Sequence, residues 1–226
     1  MPFLIDAGIL LAAYLTGSIP FGLIVVKLIS GRDVRAVASG RTGGTNAMRA
    51  AGVWAGILTG TLDVVKGAAA VWLARAVTPE IWMQVLAPLA AILGNNASIF
   101  LVERTPQGGL RLRGGAGGAA AGGGAFGLWP PVLLILLPLG FLVWYGVGYA
   151  SLTTISIALI VTVVFAVRAA LGLSPWAYAA YGVLAGVLLL IALRPNLRRL
   201  REGTERLQGW RARRRAHRQG LQNIRP

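Results

Sequence analysis

The residues best suited to chemistry lie in a short polar stretch between two apolar runs. Its centre, residues 39–46, reads Ser-Gly-Arg-Thr-Gly-Gly-Thr-Asn, and Arg35 and Arg49 flank it. Glycines let successive backbone N–H groups converge on one anion, and arginine donates paired hydrogen bonds to phosphate oxygens. A plain interhelical turn needs only two or three such residues, whereas this stretch has eight in a row. The pattern predicts a phosphate-binding loop, with a flexible turn as the alternative.

A second glycine run follows two cations later in the chain. Arg111 and Arg113 precede the segment Gly-Gly-Ala-Gly-Gly at residues 114–118, and Asn95 and Asn96 end the apolar run before them. These glycines are compatible with a second anion-binding nest. They are equally compatible with a helix surface that packs closely against its neighbours, because small residues let backbones approach. The residue types alone leave both interpretations open.

Two charged residues, Asp63 and Lys66, lie inside an apolar run. Their spacing of three places both side chains on one face of a helix. Charges at this depth in a bilayer are costly, so they face a bundle interior or a cavity and pair with a partner. A structural ion pair and a direct contact with substrate are both consistent with this pattern.

Further polar groups occur at the ends of later apolar runs. Ser151 follows Tyr149, and Asn196 and Arg199 open the basic C-terminal segment. The sequence has no cysteine, and its one histidine, His217, lies in that segment. Thiol nucleophiles, disulfides, histidine triads and histidine zinc sites are therefore excluded. We expect no metal and no cofactor.

The elements that must position these residues are apolar helices. Hydrophobic residues make up 56% of the 226 residues, and charged residues only 13%. A membrane-spanning helix needs about 20 apolar residues. The sequence therefore predicts an all-α polytopic integral membrane bundle of about seven transmembrane helices, with candidate spans at residues 3–30, 53–77, 80–102, 116–128, 131–147, 152–167 and 175–193.

The positions of the cations predict the orientation of the bundle. With seven spans, nineteen Lys and Arg residues lie on one side and only Arg75 and Arg168 on the other. Because cytoplasmic loops are enriched in Lys and Arg, we expect an outside N-terminus and a cytoplasmic C-terminus. The transmembrane unit would then be residues 1–193, with cytoplasmic loops at 31–52, 103–115 and 148–151. The basic tail, residues 194–226, would contact anionic membrane lipids, and no nucleic-acid partner is expected.

Several of these segments together resemble a known family. Residues 38–49 are similar to its first motif, Gly-Ser-Gly-Asn-x-Gly-Ala-Thr-Asn-x-x-Arg, and residues 62–67, 149–152 and 196–205 resemble later family segments. The family is the acyl-phosphate-dependent glycerol-3-phosphate acyltransferases of bacterial membranes. The resemblance implies a seven-span bundle in the bacterial cytoplasmic membrane, with an outside N-terminus and a cytoplasmic active site.

The resemblance also implies a reaction and a set of site residues. The reaction is transfer of a fatty acyl group from acyl phosphate to the 1-position of glycerol 3-phosphate, giving lysophosphatidate and phosphate. The residues it implies as catalytic are Ser39, Asn46, Arg49, Ser151 and Asn196. Those it implies as substrate-binding are Gly40, Arg41, Gly43, Gly44, Thr45, Asn95, Arg113, Gly114, Gly115, Gly117 and Arg199.

Four positions depart from the family pattern. Asn95 and Leu193 stand where the family has histidine, Ala116 where it has lysine or arginine, and Arg41 where it has asparagine. Arg41, Arg113 and Arg194 are cations that would substitute for the missing donors if the fold brings them near. The alternative is a non-catalytic relative that binds phospholipid headgroups, or a carrier of an organic phosphate.

Overall fold

The computed structural model describes residues 2–105, 108–210 and Arg214. Across this part of the chain the architecture is helical, with one short β-hairpin. The α-helices are α1 (Pro2–Ser18), α2 (Phe21–Ser30), α3 (Gly44–Ala51), α4 (Val53–Val77), α5 (Ile81–Asn96), α6 (Gly118–Leu128), α7 (Leu133–Leu142), α8 (Ala150–Ala170) and α9 (Trp176–Arg201). Short 3₁₀ helices cover Val34–Ala36 and Pro130–Val132, and a π-helix covers Val143–Val147.

Five of the described helical segments are long and apolar enough to cross a membrane: Phe3–Ser30, Val53–Val77, Pro130–Val147, Ala150–Ala170 and Trp176–Arg201. The first is not one continuous helix, because α1 ends at Ser18 and α2 begins at Phe21. Pro20 disfavours helical backbone at the residue before it and lacks an N–H donor, which explains the break. Lys66 Nζ donates to the Ile19 carbonyl at 3.1 Å, so a group exposed by the break gains a partner.

The prediction of an unbroken span over residues 80–102 is wrong. Helix α5 ends at Asn96, and strand β1 (Ser98–Arg104) pairs antiparallel with β2 (Leu110–Arg113). The segment Ile-Phe-Leu-Val at 99–102 is rich in residues that favour strands, and a pairing partner lies only a few residues away. Much of the predicted loop at 103–115 is therefore hairpin, which forms the two-stranded sheet of the described residues.

The short helix α6 lies at the centre of the bundle. A Cβ atom at Gly67 of α4 would lie 2.1 Å from the Ala120 carbonyl oxygen, and one at Gly123 of α6 would lie 2.0 Å from the Val64 oxygen. A Cβ atom at either distance would clash with the backbone oxygen, so both positions require glycine. Helices α4 and α6 therefore pack at close range. The core around α6 includes the fully buried Phe165 of α8 and Tyr181 of α9.

The C-terminal part of the described chain folds back on the bundle. Helix α9 extends past the predicted span end at residue 193 to Arg201. Residues 202–210, here named the strap, then cross the π-helix, where Gln208 N donates to the Gly148 carbonyl and Trp144 Nε1 donates to Gln208 Oε1, both at 2.8 Å. The rest of the predicted tail, residues 211–213 and 215–226, lies outside the described residues.

Candidate active site

One cavity of about 790 Å³ lies where the first polar loop, α4, α6, α8, α9 and the strap meet. Its walls include all five residues predicted as catalytic, which are Ser39, Asn46, Arg49, Ser151 and Asn196. These residues come from parts of the chain up to 157 positions apart in the sequence. Tertiary structure therefore brings the predicted catalytic residues to one place, while their chemical roles stay a prediction.

The residues predicted as substrate-binding divide into two groups. Seven of them line the cavity: Arg41, Gly43, Gly44, Thr45, Asn95, Gly117 and Arg199. The other four, Gly40, Arg113, Gly114 and Gly115, are not among the lining residues. Gly114 and Gly115 act through their backbones, since the Gly114 carbonyl accepts from Thr42 N at 3.4 Å and Gly115 N donates to the Asn95 carbonyl at 2.7 Å.

Asn46 organises the first loop from inside. Its Nδ2 lies 2.9 Å from each of three backbone carbonyl oxygens, those of Val34, Val37 and Arg41. Because all three neighbours are acceptors, the amide nitrogen must face them and Oδ1 must face away. Oδ1 is buried and finds no hydrogen-bond partner within the described chain. Asn46 thus shapes the loop and retains one free acceptor beside the cavity.

The loop leads directly into helix α3. Gly43 precedes its first residue, and no side chain caps that end of the helix. The first N–H groups of a helix carry a partial positive charge and can donate to an anion. Since Gly43, Gly44 and Thr45 all line the cavity, this helix end contributes to the cationic character of the site.

Arg41 crosses from the loop to two other segments. Its Nη1 donates to the Gly115 carbonyl at 3.1 Å, and its Nη2 donates to the Ala192 carbonyl of α9. Burial lowers the pKa of Arg41, and the charges of Arg199 and Arg111 lower it further. The guanidinium is therefore held next to Ala116, the position where the family resemblance leads one to expect a cation.

The other two cations considered as substitutes lie elsewhere. Arg113 Nη1 is paired with Glu103 at 2.9 Å. Arg194 is exposed and is not among the residues that line the cavity. Arg41 is thus the one of the three that the fold places in the cavity wall.

Arg49 supplies a second cation from the last turn of α3. Burial lowers the pKa of Arg49, the nearby charge of Arg206 lowers it further, and Glu205 opposes the shift. Arg199 and Arg206 also line the cavity. Crowded, partly buried cations favour the binding of an anion, because the anion restores the interactions lost with water.

Glu205 of the strap is the residue that sequence reasoning missed. Ser151 Oγ donates to Glu205 Oε2 at 2.7 Å, and Asn196 Nδ2 lies 3.4 Å from Oε1. The sequence showed Glu205 within a family segment but gave no sign that the strap turns back into the cavity. Of the residues that line the cavity, only Asp63 and Glu205 are acidic. Glu205 therefore links two predicted catalytic side chains, and it places a carboxylate in the cavity wall.

The pair Asp63 and Lys66 forms as the spacing predicts. Lys66 Nζ lies 2.9 Å from Asp63 Oδ1, and both side chains are almost fully buried. Lys66 also contacts the ring of Phe21, with Nζ 5.4 Å from the centroid, so it joins α4 to the start of α2. Asp63 is among the lining residues and Lys66 is not. Lys66 thus has a structural role that joins two helices, whereas Asp63 lies at the cavity wall.

The chain is similar to known proteins over most of its length. The sequence model of the family described as glycerol-3-phosphate acyltransferase matches residues 7–203. The chain belongs to this family. It is 38% identical over 209 residues to a glycerol-3-phosphate acyltransferase of Rubrobacter xylanophilus, a match that covers 92% of this chain and 98% of the relative. A Thermus thermophilus relative of the same name is 38% identical, with 90% of this chain and 95% of the relative covered.

Two solved structures have the same fold as this acyltransferase. The crystal structure of PlsY, an integral membrane glycerol 3-phosphate acyltransferase, in its glycerol 3-phosphate form has a TM-score of 0.75 and 31% identity, covering 90% of this chain and 96% of that one. The lysophosphatidic acid form has a TM-score of 0.70 and 30% identity, covering 90% and 95%. The chain is therefore a multi-pass membrane acyltransferase of phospholipid synthesis.

Proposed function

We propose that this acyltransferase transfers a fatty acyl group from acyl phosphate to the 1-hydroxyl of glycerol 3-phosphate, giving lysophosphatidate and inorganic phosphate. The observation that carries the proposal is the single cavity in which Ser39, Arg49, Ser151 and Asn196 meet. Its volume of about 790 Å³ is within the range of pockets that hold ligands of this size. Relatives of the same name, and the substrate and product forms of PlsY, support the acceptor and the product.

The charges in the cavity favour two phosphate groups. Arg41, Arg49, Arg199 and Arg206 line it, whereas Glu205 is its one acidic residue without a lysine partner. One phosphate would bind the first loop and the N-terminus of α3 through Ser39, Gly43, Thr45 and Arg49, while Asn46 holds the loop in shape. The other would bind Arg199, whereas Ser151 and Asn196 both donate to Glu205 and would face the acceptor hydroxyl instead. The assignment of each substrate to one of the two positions is left open.

The reaction depends on how the two substrates are positioned, and it requires no nucleophile from the enzyme. The 1-hydroxyl oxygen attacks the carbonyl carbon of acyl phosphate, an ester bond forms, and the bond from that carbon to the phosphate oxygen breaks. The departing phosphate takes the hydroxyl proton. Holding the hydroxyl and the carbonyl carbon about 3–3.5 Å apart accounts for much of the acceleration. Fixed donors in the loop and the arginines stabilise charge on the carbonyl oxygen and on the phosphate.

Ser151 and Glu205 would act as a unit. Since Ser151 donates its proton to Glu205, the lone pairs of Oγ are free to accept a hydrogen bond from a substrate hydroxyl. Glu205 also orients Asn196, whose buried Oδ1 has no partner within the described chain. Glu205 is thus a positioning residue. It would hold the Ser151 hydroxyl and the Asn196 amide so that they face glycerol 3-phosphate, the acyl acceptor.

The acyl chain would lie between helices at an apolar part of the cavity wall. Val53 and Ile57 of α4 line this part, together with Phe141, Trp144 and Ile157 from α7, the π-helix and α8. The side chains of Val53, Ile57 and Phe141 are exposed although they line the cavity, so the cavity is open along them. A chain leaving the cavity along them would reach the surrounding lipid.

The membrane arrangement that suits this function has seven crossings, an outside N-terminus and a site at the cytoplasmic face of a bacterial cytoplasmic membrane. Five segments meet the length and hydropathy of a span, and α5 and α6 would complete the seven. At about 1.5 Å per residue, the 11 residues of α6 reach only about 16 Å. Its burial among longer helices makes this length tolerable, because few of its backbone groups face lipid.

The alternative is a non-catalytic relative that binds phospholipid headgroups, or a carrier of an organic phosphate. Ala116 and Asn95 favour it, because both line the cavity and neither supplies the cation or imidazole of the family pattern. The position of Arg41 favours the enzyme, since it restores a cation beside Ala116.

The test is phosphate release by purified protein in lipidic mesophase with acyl phosphate and glycerol 3-phosphate. Release that is lost on Arg49→Ala supports the enzyme. A wild-type protein that binds glycerol 3-phosphate without releasing phosphate, and that gains activity with Asn95→His and Ala116→Lys together, would establish the alternative.

A further inference from the structure

The β-hairpin carries an exposed apolar face that the proposed reaction does not use. Val102 lies opposite Leu112, and Arg104 lies opposite Leu110. Residues directly opposite in an antiparallel pair point to the same side, as do residues two apart in one strand. Val102, Leu110 and Leu112 therefore share one side, here named the outer face. Their side chains are 48%, 73% and 42% exposed.

The opposite side of the hairpin faces the protein and is ionic. Glu103 pairs with Arg113 at 2.9 Å, and Arg35 of the first loop approaches Glu103 at 3.9 Å. Arg35 is also paired with Asp33 at 2.7 Å. This cluster ties the hairpin to the first loop of the active site, so the outer face must point away from it.

The hairpin is also fixed to the ends of two helices. Strand β1 begins two residues after α5, and the Ser98 hydroxyl donates to the Ser18 carbonyl at the end of α1. The Tyr14 hydroxyl donates to the Ala97 carbonyl at 2.8 Å. These two bonds fix the start of the hairpin to the C-terminal end of α1, at the break in the candidate span Phe3–Ser30.

We propose that the outer face of the hairpin rests in the anionic lipid interface beside the active-site cavity. Exposed apolar side chains on a short two-stranded hairpin invite association in water, whereas in the interface they are buried among acyl chains. Arg104, which lies opposite Leu110 on the outer face, is also exposed, and arginine near an anionic leaflet is attracted to lipid phosphate. The hairpin thus presents apolar and cationic groups together, as an anionic bilayer surface requires.

A second copy of the chain fits this surface less well. Two outer faces in contact would bring Arg104 of one copy near Arg104 of the other, and like charges at short range repel. Lipid phosphate supplies the opposite charge. The contact would hold the segment after β2, which continues into the cavity wall at Ala116 and Gly117, at the level of the headgroups.

The absence of cysteine from the sequence makes a direct test simple. Leu110→Cys is labelled with an environment-sensitive fluorophore, and the full chain is placed in nanodiscs of phosphatidylcholine with phosphatidylglycerol. Quenching by lipids that carry a spin label near the headgroup is then measured. Arg111→Cys is the matched control, because it is the adjacent residue on the other side of the strand.

We expect at least threefold stronger lipid quenching of the label at position 110 than at 111. We also expect quenching at 110 to fall when Arg104→Gln is added or when phosphatidylglycerol is omitted. Equal quenching at the two positions, or stronger quenching of position 110 by a water-soluble agent, would overturn the proposal. Disulfide-linked dimers of unlabelled Leu110→Cys at low protein-to-lipid ratio would also overturn it, in favour of a second copy.

Discussion

Replacement of Ser151 by alanine tests the link between the strap and the reaction. The Ser151 hydroxyl is fully buried and donates to Glu205 Oε2 at 2.7 Å. A hydrogen bond to a charged group contributes about 1.5–3 kcal/mol. Without it, Glu205 loses a partner and the substrate hydroxyl loses an acceptor. Since each 1.36 kcal/mol is a tenfold change in rate, we expect kcat to fall roughly 10- to 150-fold.

The assay is phosphate release in lipidic mesophase, with kcat and KM measured separately for each substrate. Ser156→Ala is the matched control, because Ser156 lies on the same helix, donates to the Thr153 carbonyl at 2.8 Å, and does not line the cavity. We expect that control to keep its rate within about twofold. If Ser151→Ala also keeps its rate within twofold while remaining folded, the proposed unit of Ser151 and Glu205 takes no part in the reaction.

Three further predictions follow from the same contacts. Arg41→Ala should lower kcat/KM roughly 10- to 150-fold, because the hydrogen bonds that its charged guanidinium donates to the Gly115 and Ala192 carbonyls are lost. Replacement of the exposed Arg194 by alanine should change kcat/KM less than threefold, and equal effects of the two changes would contradict the placement of Arg41. Glycerol 3-phosphate at about 100 times its Kd should stabilise the folded protein by about 2.7 kcal/mol, measured by thermal unfolding. At the same ligand concentration Arg49→Ala should reduce this stabilisation, and an unchanged stabilisation would exclude Arg49 from binding. Gly67→Ala should destabilise the bundle by about 1–3 kcal/mol, because the new Cβ meets the Ala120 oxygen. Gly186→Ala should be neutral or stabilising, because its Cβ meets only Ala158 Cβ at 3.5 Å. Chemical denaturation in detergent measures both changes.

The predicted helices were confirmed where one long apolar run specifies the helix without contacts from distant parts of the chain. The runs at 53–77 and 175–193 became α4 and most of α9, because some 20 apolar residues in sequence specify a helix in lipid with little help from the rest of the chain. The prediction failed at residues 97–102. Hydropathy does not separate an apolar helix end from an apolar strand, and the strand exists only because Leu110–Arg113 pairs with it.

The loop chemistry was also accessible from residue types, but the function of individual groups was not. Asn46 was expected to act on substrate, and its amide nitrogen is instead occupied by three loop carbonyls. Arg41, Arg113 and Arg194 were equivalent candidates as substitute cations. Only the fold separates them. Glu103 binds Arg113, Arg194 is exposed and does not line the cavity, and carbonyls of two distant segments hold Arg41 in the cavity wall.

By itself, the sequence determined a helical membrane chain with phosphate-compatible groups in its polar segments and no thiol or histidine chemistry, because composition and short-range spacing decide these properties. Tertiary structure alone decided which of those groups meet. Glu205 reaches Ser151 across 54 positions of sequence because the strap crosses the π-helix and pairs with Trp144 and Gly148. Contacts of this kind depend on how elements pack in three dimensions, and no local pattern in the chain encodes them.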